Sequence, residues 1–163
     1  MPTQAPLIIS ISGIRGLVGQ SLTNDVVANF CSAFATTLPS GASVILARDT
    51  RPSGEEFIQV AAQALSHVGC RVYDLGACPT PTAKLMVTEL AAQGAVIITA
   101  SHNPAPWNGL KLVRGDGIFL NAEQGARVEA LFHTQSFRQG SGGSIEKVSF
   151  AEVKKLHIER ILG

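Results

Sequence analysis

A hydroxyl and an imidazole stand side by side in Thr99-Ala100-Ser101-His102-Asn103-Pro104, where the apolar run Gly94 to Ala100 ends. A serine so placed can act as a nucleophile or carry a transferred group. Asn103-Pro104 turns the chain there, because proline excludes helix from the residue before it. Lys111 lies ten residues after Ser101, behind Asn108-Gly109, and Arg15 sits far upstream in Gly13-Ile14-Arg15-Gly16. Either cation could clamp an anion. An acyl hydrolase would want G-x-S-x-G, but Thr99 and Asn103 hold those glycine positions. Ser101 and His102, adjacent in an extended loop, point in different directions and make a poor nucleophile–base pair. Neither glycine-rich run has the G-x-x-x-x-G-K-[ST] form of an ATP-binding loop. The histidines at 67, 102, 133 and 157 are scattered, so no metal cluster is visible in the sequence. On residue types alone the loop also reads as a plain turn whose polar side chains satisfy backbone groups, with Arg15 and Lys111 as surface cations. At this point both readings stand.

The elements that must position these residues alternate clearly. Leu7 to Ile11 reads as a short strand ended by a Gly13-Ile14-Arg15-Gly16 turn. Thr23 is an N-cap candidate, and Val26, Val27, Phe30, Cys31, Phe34, Ala35 and Leu38 then recur at helical spacing until Pro39 and Gly41. Ala42 to Ala47 is a buried-strand run. Ser53 is expected to cap a helix with the stripe Phe57, Val60, Ala61, Ala64, Leu65 and Val68, closed by Gly69. Cys70 to Leu75 reads as a strand, and Thr80-Pro81 opens a helix with Met86, Val87 and Leu90 on its apolar face. The run Gly94 to Ala100 is apolar enough for a central strand covered on both faces. Gly109 to Arg114 and Gly117 to Leu120 read as two short strands around a Gly115-Asp116-Gly117 turn. Asn121 caps a helix through about His133, Ser136 to Ser144 reads as a flexible loop, and Phe150 to Leu162 is a last helix. Its apolar residues spread over more than one face, so it is expected to pack against something beyond this chain. Strand–helix alternation of this kind predicts an α/β fold, a three-layer α/β/α sandwich around a mixed, mostly parallel sheet.

Bulk properties bound the function. A chain of 163 residues, 45% apolar and 15% charged, fits one ordinary domain with a real core. A net charge of +1 excludes the sustained basic face that nucleic acid or an acidic membrane surface requires. Cys31, Cys70 and Cys78 are an odd number without C-x-x-C spacing and read as buried thiols in a reducing compartment. Met1 to Leu7 has no basic region before an apolar run, so no signal peptide is expected. No apolar stretch nears the roughly 18 residues of a membrane span. A cytoplasmic domain is expected.

Four motifs in order resemble the signature set of the α-D-phosphohexomutases. They are Ser12-Gly13-Ile14-Arg15-Gly16, Arg48-Asp49-Thr50-Arg51-Pro52-Ser53, Thr99 to Pro104, and Asn108-Gly109-Leu110-Lys111. That superfamily holds phosphoglucomutases, phosphomannomutases and phosphoglucosamine mutases, and the chain is similar to its first domain. The resemblance implies that Ser101 carries a phosphoryl group and gives it to a hexose hydroxyl. The bisphosphosugar then turns around and returns its other phosphate, so phosphate moves between the 1- and 6-positions. It implies catalytic roles for Ser101, His102, Lys111 and Arg15: Lys111 in proton transfer as acid or base, Arg15 as the arginine contacting the serine loop, and His102 in shaping the site or in acid–base chemistry. It implies substrate contacts from Ser12, Asn103 and Asn108. Mg²⁺ is implied through the phosphate of Ser101, with the other ligands in a second domain, and hexose 1,6-bisphosphate is implied as activator. A hexose phosphate and the remaining mutase domains are the expected partners.

The match covers only the first of four domains. Residues 1–148 are expected to form that domain, and 149–163 a helix leading to the second. Gly115-Asp116-Gly117 lacks the aspartates of the family's metal loop. The chain alone is therefore expected to show little or no mutase activity. Ile9-Ser10-Ile11-Ser12 replaces the family's commoner Phe-Gly-Thr start, a matter of subgroup. Trp107 suits a core anchor or a loop stiffener equally well. The competing functions are a serine acyl hydrolase, and a sugar-phosphate-binding module in which Ser101 is never phosphorylated.

Overall fold

The computed structural model describes residues 5–163; Met1–Gln4, which open the segment read for a signal peptide, lie outside the described residues. Seven strands form one sheet in the order β1-β2-β6-β5-β3-β4-β7. They are β1 (Ile8–Ser10), β2 (Gly13–Leu17), β3 (Ser43–Arg48), β4 (Arg71–Ala77), β5 (Gly94–Ile98), β6 (Trp107–Arg114) and β7 (Ser144–Lys147). The helices are α1 (Asn24–Thr37), α2 (Ser53–His67), α3 (Thr80–Glu89), α4 (Ala122–Thr134) and α5 (Phe150–Leu162). The sheet is mixed: β5, β3, β4 and β7 run parallel, while β6 is antiparallel to both β5 and β2, and β1 antiparallel to β2.

Two apolar layers sandwich it. Val44, Leu46, Val96, Ile98, Leu110 and Leu112 face α1, α2 and α4. Ile45, Ala47, Ala95, Ile97 and Val113 face α3 and α5. Alternation along each strand produces this split, and β5, buried at all five positions, is the central strand that its composition implied. The predicted caps at Thr23 and Asn121 form, the latter as a capping box with Gln124.

Five expectations need correction. Gly13–Gly16 is strand β2 rather than a turn, because Ile14 and Arg15 pair with Leu110 and Gly109 of β6. Ser53 is inside α2, whose N-cap is Pro52, and its hydroxyl accepts the Asn108 side-chain N–H instead of capping. Gly117 to Leu120 forms only a bridge from Phe119 to Val113, and Cys70 precedes the strand that begins at Arg71. Ser136 to Ser144 is no slack loop. A Cβ on Gly143 would lie 1.8 Å from the Cys70 carbonyl oxygen, and one on Gly140 2.3 Å from the Val68 carbonyl carbon, so these glycines allow close backbone approach. Arg138 ties the segment to the end of α1 by donating to the carbonyls of Leu38 (2.7 Å) and Ala35 (3.1 Å). The segment leads into β7, an exposed edge strand that pairs with β4 from Arg71↔Ser144 to Asp74↔Lys147.

Helix α5 docks on α3 through buried Val153 and a 2.8 Å hydrogen bond between His157 Nδ1 and Thr82 Oγ1. Phe150, Ile158, Ile161 and Leu162 remain exposed on it. Among the described residues no helix is long and apolar enough to cross a membrane.

Candidate active site

Strand β3 lies between β4 and β5, so the chain leaves it in one direction and returns on the other side. Such a switch point opens a crevice at the carboxyl ends of the two central strands, where open α/β sheets bind ligands. The loops after β3 and β5 are Asp49-Thr50-Arg51 and Thr99 to Pro104. They are stitched together at once, since the Asp49 N–H donates to the Ile98 carbonyl at 3.0 Å.

Ser101 is exposed at the rim, in the left-handed region with φ of +57°. That conformation costs a non-glycine residue roughly 1–2 kcal/mol and must be held by its surroundings. The Ser101 N–H donates to Thr99 Oγ1 at 2.9 Å, and Thr99 Oγ1 in turn donates to Asp49 Oδ2 at 2.7 Å. Asp49 also accepts from the Arg51 Nε–H at 3.1 Å and from the Arg51 backbone N–H at 3.0 Å. From there the Arg51 guanidinium reaches into the serine loop. Nη2 donates to the carbonyls of Ser101 (3.0 Å) and Asn103 (2.7 Å), and Nη1 to those of Pro104 (2.9 Å) and Trp107 (2.8 Å). Half-buried Trp107 opens β6 with its N–H on the Pro104 carbonyl.

The expected cations gather on the α3 face of the sheet. Arg15 stands opposite Gly109, and Lys111 follows two residues along β6 on the same face. Arg15 Nη2 donates to Ser12 Oγ at 3.1 Å, and Ser12 Oγ also bonds Ser10 Oγ at 2.9 Å. Burial pushes the Lys111 ammonium below its usual value, and the nearby charges of Arg15 and Lys84 push the same way. The ammonium groups of Lys84 and Lys111 lie 4.6 and 5.3 Å from the centre of one ring, that of Phe119. Among the described residues none of Arg15, Lys84 and Lys111 has a carboxylate in ion-pair distance. Arg15 Cγ and the Thr99 carbonyl oxygen lie 3.1 and 3.0 Å from the Cβ position of Gly109, so these uncompensated cations share a face with the root of the serine loop, an arrangement that suits a phosphoryl group.

Lys111 is therefore held at a cost to stability. Its lowered value means the unfolded chain keeps the proton more firmly. The penalty is fully present at neutral pH and is relieved only as pH rises toward the ordinary lysine value of 10.5. Lys111→Met is expected to raise the melting temperature at pH 7 and to lose that advantage as pH approaches 10, as thermal melts across that range will show.

Other expected site residues fall differently. His102 is exposed, and no hydrogen bond joins it to Ser101. Asn103 is half-buried, with Oδ1 sealed from solvent and unpartnered. Asn108 does not reach a ligand. It is fully buried on the Leu110 face of β6, donating to Ser53 Oγ at 2.8 Å and accepting the Gly109 N–H at 2.8 Å. Strand parity turns it away from Lys111, so in this structure its side chain serves the packing of β6 against α2. Asn108→Ala should destabilise the fold by about 2 kcal/mol by orphaning these groups, measurable as a lower urea midpoint with unchanged slope.

The residues missed in the sequence are Arg51, Asp49, Thr99 and Lys84. The first three lie inside quoted motifs, but their partners are largely backbone groups, which carry no sequence signal. The three cysteines are free and buried, and burial raises the thiol of Cys31 to about 12 and that of Cys78 to about 11, so neither is a nucleophile near neutral pH.

Residues 7–139 match the family described as "Phosphoglucomutase/phosphomannomutase, alpha/beta/alpha domain I". The chain belongs to this family. It is 38% identical over 130 residues to a phosphoglucosamine/phosphogalactosamine mutase of Sulfurisphaera tokodaii, a match spanning 80% of this chain and 29% of that protein. It is 34% identical over 153 residues to a phosphoglucomutase/phosphomannomutase of Thermococcus kodakarensis, spanning 91% and 34%. A solved phosphoglucomutase/phosphomannomutase family protein of Burkholderia thailandensis superposes with a TM-score of 0.80 at 30% identity, over 96% of this chain and 36% of that one. The chain thus spans about a third of the length of the relatives it matches, and corresponds to the mutase domain I of this family.

The chain's own donors do not fit a Mg²⁺ site. Among the described residues no three His, Cys, Asp or Glu side chains converge, and Asp49, the carboxylate bound into the loop network, is already engaged by Arg51 and Thr99.

Proposed function

We propose that this chain is the phosphoserine-bearing part of a phosphohexomutase, moving phosphate between the 1- and 6-positions of a hexose. The observation that carries this is exposed Ser101 on a strained and multiply fastened loop at the switch-point crevice, with Arg15 packed at the root of that loop. A hydrolase reading lacks support, since no hydrogen bond links Ser101 to a base.

Phosphoryl transfer asks for positioning and charge neutralisation more than covalent steps on the protein. With Ser101 phosphorylated, the 6-hydroxyl of a hexose 1-phosphate attacks phosphorus, a new P–O bond to the sugar forms, and the bond to Ser101 Oγ breaks. The hydroxyl proton leaves to a base, and the Ser101 oxygen takes one up. The 1,6-bisphosphate then reorients and returns its 1-phosphate to Ser101, giving the 6-phosphate. Arg15 and Lys111 hold the phosphoryl oxygens in this scheme. Lys111, more readily deprotonated than an ordinary lysine in the unphosphorylated chain, is a proton carrier whose hold on its proton tightens beside a phosphate dianion. Mg²⁺ on that phosphate would have to draw its remaining ligands from water and from residues outside this chain. Residues 1–148 serve as the domain proper, and α5, with its exposed Ile158, Ile161 and Leu162, as the path to the next one.

The test is an isomerisation assay on the open reading frame that contains this chain, with Mg²⁺ and a trace of hexose 1,6-bisphosphate. The relatives named above differ in sugar, so the panel holds the 1-phosphates of glucose, mannose, glucosamine and galactosamine. Conversion of at least one to its 6-phosphate is expected, with little or none from the 163-residue chain alone. Robust turnover by the isolated chain would show that it needs no further domain.

A further inference from the structure

We propose that Arg51 is a positioning residue for phosphoryl transfer, fixing the serine loop through its backbone so that the Ser101 oxygen stands where phosphorus is exchanged. The inference rests on the phosphoserine reading above and adds a residue whose role that reading leaves unassigned.

An arginine has five N–H donors in a rigid fork. Here all five are engaged: Nε–H by Asp49, two on Nη1 by Pro104 and Trp107, two on Nη2 by Ser101 and Asn103. The guanidinium therefore has no donor left for a phosphate, and its side chain is only 14% exposed. Arg51 acts on the loop and not on the substrate.

The loop needs such a centre. Ser101, His102, Pro104, Ala105 and Pro106 are exposed, so packing does not hold them. Four carbonyl oxygens converging on one point would repel one another without a cation between them. Asp49 orients that cation and simultaneously holds Thr99, whose hydroxyl receives the Ser101 N–H. One connected network thus grips Ser101 by its N–H on one side and its carbonyl on the other, and keeps it at φ of +57°. In-line transfer is sensitive to displacement of the reacting oxygen, with about 1 Å worth about 100-fold in rate.

The experiment uses the full reading frame and compares Arg51→Met, Arg51→Lys and Thr99→Val. It measures kcat, KM, melting temperature, and phosphate on Ser101 after exposure to hexose 1,6-bisphosphate. Arg51→Met is expected to lower kcat about 100-fold while KM stays within about threefold, because the substrate contacts are untouched. Arg51→Lys should recover little, since three rotatable donors cannot span Asp49 and four carbonyls. Thr99→Val, nearly the same shape, should cost about tenfold in kcat and lower the melting temperature by only a few degrees, through the two hydrogen bonds lost. It decides the matter if Arg51→Met does not fold. A folded Arg51→Met or Thr99→Val protein with parental kcat would overturn the proposal, as would a KM effect with kcat intact. A parent that neither isomerises nor phosphorylates Ser101 would fail earlier, at the phosphoserine reading, and would take this inference with it.

Discussion

Ser101→Gly is expected to abolish isomerisation in the full enzyme while making the fold more stable. The chemical loss follows from removing the atom that carries the phosphoryl group; by analogy with nucleophile deletions elsewhere it should reach at least roughly 10⁴-fold in kcat. The stability gain follows from φ of +57° at this residue, which glycine adopts without a Cβ penalty. Part of that gain is offset by the greater freedom of glycine in the unfolded chain, leaving about 0.5–1 kcal/mol and a rise of roughly 1–4 °C in melting temperature. Ser101→Ala should be equally inactive without the stability gain, since it keeps the Cβ. Kinetics and thermal melts on the three proteins check both halves. Opposite movement of stability and activity at one position is the signature of strain kept for function, and equal melting temperatures would remove that argument.

Gly109→Ala is expected to be the most damaging single-atom change near the site. A Cβ there would lie 2.3 Å from the Ile14 carbonyl oxygen, 3.0 Å from that of Thr99 and 3.1 Å from Arg15 Cγ. Two of those neighbours are backbone, in β2 and just past the end of β5, and cannot rotate away. Thr99 N–H also donates to the Gly109 carbonyl, so a shift here moves the root of the serine loop. The cost should reach about 3 kcal/mol, or roughly 6–12 °C, with kcat falling as well. Gly125→Ala on α4 is the matched control. Its Cβ would meet nothing within 4 Å, and alanine in a helix should gain about 0.5–1 kcal/mol. Equal melting temperatures for the two variants would show that the β2–β6 approach at Gly109 is not tight.

The same positions explain how far the sequence could be read. Helices α1, α4 and α5 were legible because periodic apolar residues followed side-chain caps or acidic first turns, and β3 and β5 because they are buried on both faces. Strand β2 was hidden by its two glycines, which look like a turn; Gly13 instead permits close approach of the Leu110 carbonyl of β6, and Gly16 that of Ser21 and Leu22. Strand β7 was hidden because Ser144–Lys147 is short and exposed, held by pairing with β4 and not by burial. The serine loop and the cations Arg15 and Lys111 were legible as motifs. The burial of Asn108 was not legible, because a motif gives residue type but not strand parity, and one residue along β6 separates the buried face from the open one. Arg51 was quoted but given no role, since a residue that binds backbone carbonyls pairs with no recognisable side chain. Lys84 joins Lys111 only because Phe119 folds back beside α3, a tertiary fact with no local trace.

The central claim is that Ser101 exchanges a phosphoryl group with a hexose, and the most direct measurement is to locate that group. The full enzyme is incubated with hexose 1,6-bisphosphate labelled in its phosphates, digested, and its peptides sequenced by mass spectrometry. The label is expected on Ser101 alone, to be discharged by unlabelled hexose monophosphate, and to be absent from Ser101→Ala. Label on another residue, or an enzyme that isomerises hexose phosphates with Ser101 never phosphorylated, would contradict the account.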